Sequence, residues 1–401
     1  MNVGKFMKSI IGKMSNLAIA IATALSSQVV IAAEEDIGLE RIEVTARKSV
    51  ESLQEVPVAV TSISADELAE KGIEVLTEVQ QFSPNTTLQR SRGTNSTITA
   101  FIRGVGQQDP LWGYEAGVGI YIDDVYIARP QGAVLDLLDI ERVEVLRGPQ
   151  GTLYGKNTIG GAIKYVTKEM SGDAELNVQG TVGLYNQRDI KLTGQYPIIE
   201  DKLYFGFGVA NLQRDGYGEF LESDLDNQDD ENYNKDVVAG RLTLEYHATD
   251  DLFFSLNWDK TQDDSNSKCR YRLLPSILTD APVPDSVYDS YPSLPTWNEV
   301  ELEGVSFKAN WNVAENTSLK YVFSSRDSYS PTNIDFDNTP LRIFDVPAIY
   351  DDEQKTHELQ LNHYGDNYKV VSGRYYHDGE SCGQFEAILE VLGQAIGVPG
   401  L

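Results

Sequence analysis

Apolar and polar positions alternate with a period of two through the second half of the chain. In "KLYFGFGVAN", Leu203, Phe205, Phe207 and Val209 alternate with Tyr204, Gly206, Gly208 and Ala210. "RLTLEYH" sets Leu242, Leu244 and Tyr246 against Arg241, Thr243, Glu245 and His247. The same rhythm runs through "LFFSLNWD" and "VSFKANWNV". It predicts nine strands, over residues 174–186, 188–197, 202–213, 236–248, 251–262, 300–313, 316–328, 354–364 and 367–378. Each is roughly 10–13 residues long, the length of a tilted strand crossing a bilayer. Short connections ("IIED", "TD", "AE", "GD") alternate with long ones near 214–235, 263–299 and 329–353. A soluble sandwich also alternates its faces, but its strands are shorter, about 5–6 residues, and its loops are not sorted by length in this way. Short turns on one rim and long loops on the other describe antiparallel strands of a transmembrane β-barrel, with the long loops outside.

Residues 51–170 read differently. "SISADELAEKG" predicts a helix opened by a Ser64/Glu67 capping box and closed at Gly72. Short apolar strands follow at "TITAFIRG", "GVGIYIDDV", "IERVEVLRG" and "GGAIKYVT", separated by Gly and Pro turns. This is an α+β globule. The expected organisation is a leader at 1–33, an N-terminal segment at 34–50, the globule at 51–170 and barrel strands at 171–401.

The leader joins Lys5, Lys8 and Lys13 to an apolar stretch ending in small residues near Ala32–Ala33. That is the form of a secretory signal peptide; acidic Glu34, Glu35 and Asp36 follow in place of stop-transfer basic residues. No other apolar run approaches the roughly 18–20 residues of a spanning helix. Acids outnumber bases 61 to 33, for a net charge of −28, which excludes a nucleic-acid binder.

The segments "VPVAVTSISADEL", "FIRGVG", "VGIYIDDVYIARP" and "LDIERVEVLRGPQGTLYGKNTIGGAI" closely resemble the plug domain of TonB-dependent outer-membrane receptors. Arg103, Arg147, Gly148, Pro149, Gly151, Tyr154, Gly155, Gly160 and Gly161 fall where that family has its structural motif. The resemblance covers about residues 40–168; the strands beyond are compatible with it. It implies a plug inside a barrel of about 22 strands. It further implies a TonB box at Arg41, Ile42, Glu43, Val44, Thr45 and Ala46, which would add as a strand to TonB, itself driven by its ExbB–ExbD motor. The implied activity is import of a scarce nutrient, foremost a ferric siderophore, across the bacterial outer membrane by a single copy set in lipid. Vitamin B12, heme, carbohydrate and aromatic compounds are alternatives. Arginine and aromatic groups suit anionic chelates, so Arg90, Arg92, Gln107, Gln108, Trp112 and Tyr114 are the expected substrate contacts. The plug motif is read as structural: Arg103 and Arg147 could pair with wall carboxylates such as Glu245 and Asp259, or satisfy carbonyls within the plug.

Other chemistry fails on its residues. "GPQGTLYGKN" lacks the Walker glycine at Gln150 and the Ser or Thr at Asn157. "DLDNQDDEN" at 224–232 lacks the glycine of an EF-hand loop and reads as a solvated acidic loop. His247, His357, His363 and His377 lack ligand spacing. No enzyme, cofactor or resident metal is expected. Cys269 and Cys382 are both expected on the exterior side, and a loop-tethering disulfide between them is expected in that oxidising setting. Only Glu34–Glu40 separate leader and box, which leaves no room for an added signalling domain. Nine strands cannot enclose such a plug, so the chain is expected to be the front portion of a transporter, ending in an external loop with a short helix at 384–392. The alternative is a truncated product that binds ligand or TonB without transporting.

Overall fold

The computed structural model describes residues 42–73, 75–91, 96–109, 111–129, 140–221, 225, 231–278 and 282–398. The expected signal peptide, most of the acidic run at 224–232, and residues Arg41 and Arg92 lie outside them. Among the described residues no helix is long and apolar enough to cross a membrane.

The N-terminal globule is built from short elements. β1 (Glu43–Val44) pairs with β2 (Glu51–Ser52), and β3 (Ala59–Ser64) leads into α1 (Ala65–Glu70). The Ser64 hydroxyl accepts from the Glu67 amide, the Glu67 carboxylate accepts from the Ser64 amide, and Gly72 follows at φ +62°, as the capping pattern predicts. A 3-10 turn (Leu76–Gln81) precedes β4 (Thr86–Arg90), β5 (Ile98–Ile102) and β6 (Val105–Gly106), a three-stranded sheet. A second sheet has the order β3-β9-β10-β7-β8, with β7 (Val118–Ile122), β8 (Val125–Ile127), β9 (Ile140–Arg147) and β10 (Gly161–Thr167). One turn of helix, α2 (Gly151–Tyr154), joins β9 to β10. Val143, Val145 and Ile163 from the central strands meet Ile63, Leu68, Leu88 and Ile102 in the main core. Gly161 has φ +154°, and a Cβ there would stand 2.2 Å from the Leu146 carbonyl, so only glycine lets β10 lie against β9 at that point.

The second half is one antiparallel nine-stranded sheet. In order it runs β11 (Glu175–Val182), β12 (Arg188–Ile199), β13 (Leu203–Arg214), β16 (Lys235–Thr249), β17 (Leu252–Asp263), β18 (Val300–Ala314), β19 (Thr317–Asp335), β20 (Asp345–Tyr364) and β21 (Lys369–Phe385). The short β14 (Gly218–Glu219) and β15 (Glu231–Asn232) form a ribbon in the β13–β16 connection, and α3 (Glu390–Ile396) follows β21. All nine expected strands are present, but β19 and β20 stay paired to Asp335 and Asp345. The third long connection therefore shrinks from the expected 329–353 to 336–344. The polar run "YSPTNID" reads as loop in sequence, yet Ser330, Thr332 and Asn333 are buried. Helix α3 sits about six residues later than expected.

The pleat is inverted relative to a soluble protein. Leu176, Val178, Ile190, Val209, Leu242, Leu244, Tyr246, Leu256 and Leu359 are exposed on one face. The other face carries Glu245, Ser255, Asn257, Ser324, Gln354, Thr356 and Gln360, buried against the globule. An apolar outer face over a polar inner one is the pattern of lipid-facing barrel strands. β11 and β21 each have one paired neighbour, so the sheet is open.

The expected disulfide is not formed: both cysteines are free, Cys269 buried in the connection after β17 and Cys382 exposed on β21. Cys382 lies within the lengthened last strand, where pairing with Asp351 fixes its place.

Candidate functional site

Two groups of polar side chains tie the globule to the sheet, one near each rim. At the short-turn rim the chain enters through Ile42–Ala46. Val44 and Ala46 are 0% exposed, packed with Val56, Tyr121, Leu146 and Tyr154. Thr45 between them is held from three sides. Its amide donates to Glu144 Oε1 at 2.9 Å, and its hydroxyl also donates there at 3.2 Å. Lys164 Nζ donates to Thr45 Oγ1 at 2.6 Å, and the Tyr154 hydroxyl donates to the Thr45 carbonyl at 3.2 Å. Burial first, then the negative charges of Asp124, Glu144 and Glu358, raise the Tyr154 hydroxyl well above its ordinary range, so it stays a donor.

Asp124 is the hub of this knot. Its carboxylate faces Lys48 at 3.7 Å, Lys164 at 3.3 Å and, in direct contact, Lys320 of β19. Burial opposes its charge, yet Lys164, Lys320 and Lys48 together hold the carboxyl well below the usual range. Lys48 also reaches Glu358 of β20 at 3.1 Å, and its carbonyl accepts from Gln360 Nε2 at 2.9 Å. Lys369 of β21 meets Glu51 at 2.9 Å. The neighbouring Asp123 bonds Arg241 of β16 at 2.5 Å. A polar cavity of ≈ 340 Å³ lies beside the knot, lined by Thr45, Asp124, Lys164, Glu245, Lys308 and Lys320 among others.

The expected wall partners act otherwise. Glu245 accepts from the Met170 amide at 3.0 Å, and Asp259 pairs with Arg326 within the sheet at 2.6 Å. Arg147 donates to the Pro84 carbonyl at 3.4 Å and Arg103 is exposed at φ +53°, so the carbonyl-satisfying alternative describes Arg147. Globule acids facing wall bases make most of the seam here.

At the long-loop rim a basic and aromatic cluster gathers. Arg214 ends β13; Tyr217 and Tyr233 flank the β14–β15 ribbon; Lys268 and Tyr288 come from the β17–β18 connection; Arg90 ends β4 of the globule. The Tyr217 and Tyr233 rings stack at 4.9 Å, and Tyr288 meets Tyr217 edge-on at 5.1 Å. Arg214 lies 4.9 Å over Tyr217 and Lys268 lies 5.7 Å over Tyr233. Burial, then the positive fields of Arg90 and Arg214, push Lys268 down to about 6 against an opposing pull from Asp263. Arg214 donates from Nη2 to the Tyr233 carbonyl at 2.7 Å, while its Nε is buried without a hydrogen-bond partner. Two guanidinium groups and an amine that a bound anion would help to protonate, set among rings, suit an anionic aromatic guest.

Arg90 is thus the expected contact residue that joins this cluster; Arg92 lies outside the described residues. Gln107, Gln108 and Tyr114 border a crevice of only ≈ 30 Å³. Gln107 spends its carbonyl on the Gln108 and Asp109 amides, and Tyr114 is half exposed. Trp112 is engaged with the wall: it stacks on Tyr350 of β20 at 5.2 Å and meets Phe385 of β21 edge-on at 6.2 Å, tying the globule's apex to the sheet. Arg214, Lys268 and the three tyrosines went unpredicted, because residues from two separate connections meet only in the fold. Their signal was the mixture of Tyr with Lys and Arg in "RDGYGEF", "NYNKD" and "SKCRYR".

Residues 52–162 match the family described as TonB-dependent Receptor Plug Domain. The pesticin receptor of Yersinia enterocolitica is 32% identical over 179 residues, 44% of this chain and 26% of that protein. The vitamin B12 transporter BtuB of Vibrio vulnificus is 32% identical over 157 residues, covering 38% of this chain and 25% of that one. Among solved structures, the ferric yersiniabactin uptake receptor FyuA from Yersinia pestis superposes with a TM-score of 0.68 at 19% identity, over 83% of this chain and 50% of that one. The ferripyoverdine receptor of the outer membrane of Pseudomonas aeruginosa gives 0.68 at 16%, over 88% and 46%. The chain spans about a quarter of the length of these curated relatives and about half of these solved receptors.

Proposed function

Taking the chain as what its plug and strands make it, a TonB-dependent receptor, we propose that it serves TonB-driven import of a scarce anionic nutrient, foremost a ferric siderophore, across the bacterial outer membrane. The observation that carries this reading is the outer cluster of Arg90, Arg214 and Lys268 with Tyr217, Tyr233 and Tyr288. It joins a plug residue to two external loops, so a ligand held there would touch plug and wall together. Ferric siderophores are bulky anions whose aromatic or hydroxamate groups suit cations and rings. A BtuB-like corrinoid has no matching excess of negative charge.

Ile42–Ala46, with Arg41, is the proposed TonB box. In the docked state Val44 already pairs with Glu51 and Ala46 is buried, so β-addition to TonB requires the segment to leave the plug. The Thr45 clamp and the Asp124 knot set the cost of that release. The exporting machinery, TonB and its ExbB–ExbD motor supply location and work; no step asks covalent chemistry of this chain.

Uptake of radio-iron loaded onto a panel of siderophores, in cells with and without TonB, tests the reading. Accumulation of at least one chelate should require TonB and should fall about tenfold or more for Arg214→Ala, the worth of one charged hydrogen bond. Uptake independent of TonB, or insensitive to Arg214, would overturn it.

A further inference from the structure

At the long-loop end of β19 and β20, Asp335, Asp337 and Asp345 each bring a carboxylate oxygen within 4.8 Å of the other two. The transport reading makes no use of them. Backbone amides fix two of the three. Asp335 Oδ1 accepts from the Asp337 and Asn338 amides at 3.0 and 2.6 Å, and its Oδ2 accepts from the Ser293 amide at 2.9 Å. Asp337 takes the Thr339 amide on Oδ1 at 3.0 Å and the Phe344 amide on Oδ2 at 2.9 Å.

Such bonds within an acidic turn are common and do not by themselves make a site. Asp345 adds a separate observation. It is 0% exposed, its Oδ2 accepts from the Ser293 hydroxyl at 2.7 Å, and its Oδ1 is buried with no hydrogen-bond partner. A buried carboxylate oxygen left unmatched beside two others calls for either a proton or a cation. The nearby base is Arg342, whose Nε donates to the Ser293 carbonyl at 3.4 Å; its charge reaches Asp345. One guanidinium against three carboxylates leaves a net negative charge.

We propose that Asp335, Asp337 and Asp345 form a Ca²⁺ site. The oxygens are hard donors, and two ligands of one Ca²⁺ at 2.3–2.6 Å can stand at most roughly 5 Å apart, a span that includes the observed spread. Mg²⁺, at about 2.0–2.1 Å, needs a tighter set and keeps more of its water. The ion would staple the 336–344 hairpin to the Ser293 connection. Behind it lie Ile334, Val346, Ala348 and Tyr350, the buried group against which Trp112 of the plug apex packs. Bound calcium would therefore stiffen the wall at the apex contact.

The test is calorimetric titration of the detergent-extracted, chelator-stripped full chain with CaCl2, with limited proteolysis in parallel. The expected result is saturable binding of one ion per chain and slower cleavage within 336–344. Asp345→Asn should weaken binding at least tenfold, and Asp327→Asn, on the same strand outside the cluster, should leave it unchanged. The wild-type titration stands even where a variant folds poorly. No saturable heat up to about 10 mM Ca²⁺, beyond the weakest extracellular sites, would overturn the proposal in favour of a shared proton. An equal response to Mg²⁺, or undiminished binding by Asp345→Asn, would overturn it too. Each result is independent of whether the chain transports a siderophore.

Discussion

The inner knot and the outer cluster use the same chemistry with opposite bookkeeping. At the inner rim one carboxylate, Asp124, is surrounded by three lysines that also reach Glu358 and Thr45. Charges there are matched, so the site is complete without a guest and holds the chain closed. At the outer rim Arg90, Arg214 and Lys268 converge with Asp263 as their acidic neighbour, and one guanidinium nitrogen is left unpaired. On the proposed reading, that site would gain from an anion. The contrast teaches where a ligand belongs and where a latch belongs: buried charges matched inside the protein fix a conformation, and unmatched ones bind something else.

The largest expected effect breaks the inner side alone. Asp124→Asn leaves three lysines facing a neutral amide, and removing one partner of a buried ionic group costs about 3–5 kcal/mol. Urea unfolding of the plug should shift accordingly, and cleavage by added protease near Ile42–Ala46 should accelerate. Ligand affinity at the outer rim should stay within about threefold if the two ends are separately built. An equal loss of affinity would show them to be one unit.

Arg214→Ala is the mirror experiment. It should cost about 1.5–3 kcal/mol of ligand binding, read as a ten- to hundredfold rise in Kd, with little change in the urea midpoint of the plug. A smaller change sharpens the inner side. Val44→Ala removes two buried methyl groups, worth about 2 kcal/mol with the cavity left behind. Amide exchange at Val44 and Thr45 should quicken, and a purified TonB periplasmic domain should bind more tightly by up to the same factor. Unchanged TonB affinity would mean that release of this segment is not what limits the encounter.

These two ends were not equally legible in the sequence. Period-two alternation located all nine wall strands, because a strand with lipid on one face and polar plug on the other must alternate. The capping box and glycine punctuation gave α1, since both are local. Strand ends were missed where loops bury polar residues: Ser330, Thr332 and Asn333 look solvated in sequence and are not. The inner knot was half visible. The Arg41–Ala46 motif stood out, but "IYIDDVYI" hid Asp123 and Asp124 among apolar neighbours, with nothing to show that their partners sit at 241 and 320. Of the outer cluster only Arg90 was anticipated. Trp112 was read as a ligand contact, since an exposed-looking aromatic in a Gly-rich turn carries no mark of the Tyr350 ring waiting across the seam. Pairings separated by a hundred or more residues are set by the register of the sheet, which composition and spacing do not encode.

The smallest expected effect concerns a single proton at the outer rim. Lys268 stands at about 6 in the fold, far below the ordinary amine value, because burial and the fields of Arg90 and Arg214 outweigh Asp263. Between roughly pH 6 and 10.4 the unfolded chain holds this proton and the folded chain does not, so the contribution to stability rises with pH across that window. An anion bound beside the amine reverses the preference by favouring its charged form. Binding at pH 7–8 should then take up a proton, and affinity should fall with rising pH, by at most about tenfold per unit for one group. Lys268→Met should flatten that slope while keeping the stem that packs on Tyr233. Proton uptake measured calorimetrically in two buffers of different ionisation heat checks the count. A slope that persists in Lys268→Met would assign the proton to the ligand, leaving Arg90 and Arg214 as the whole of the anion site.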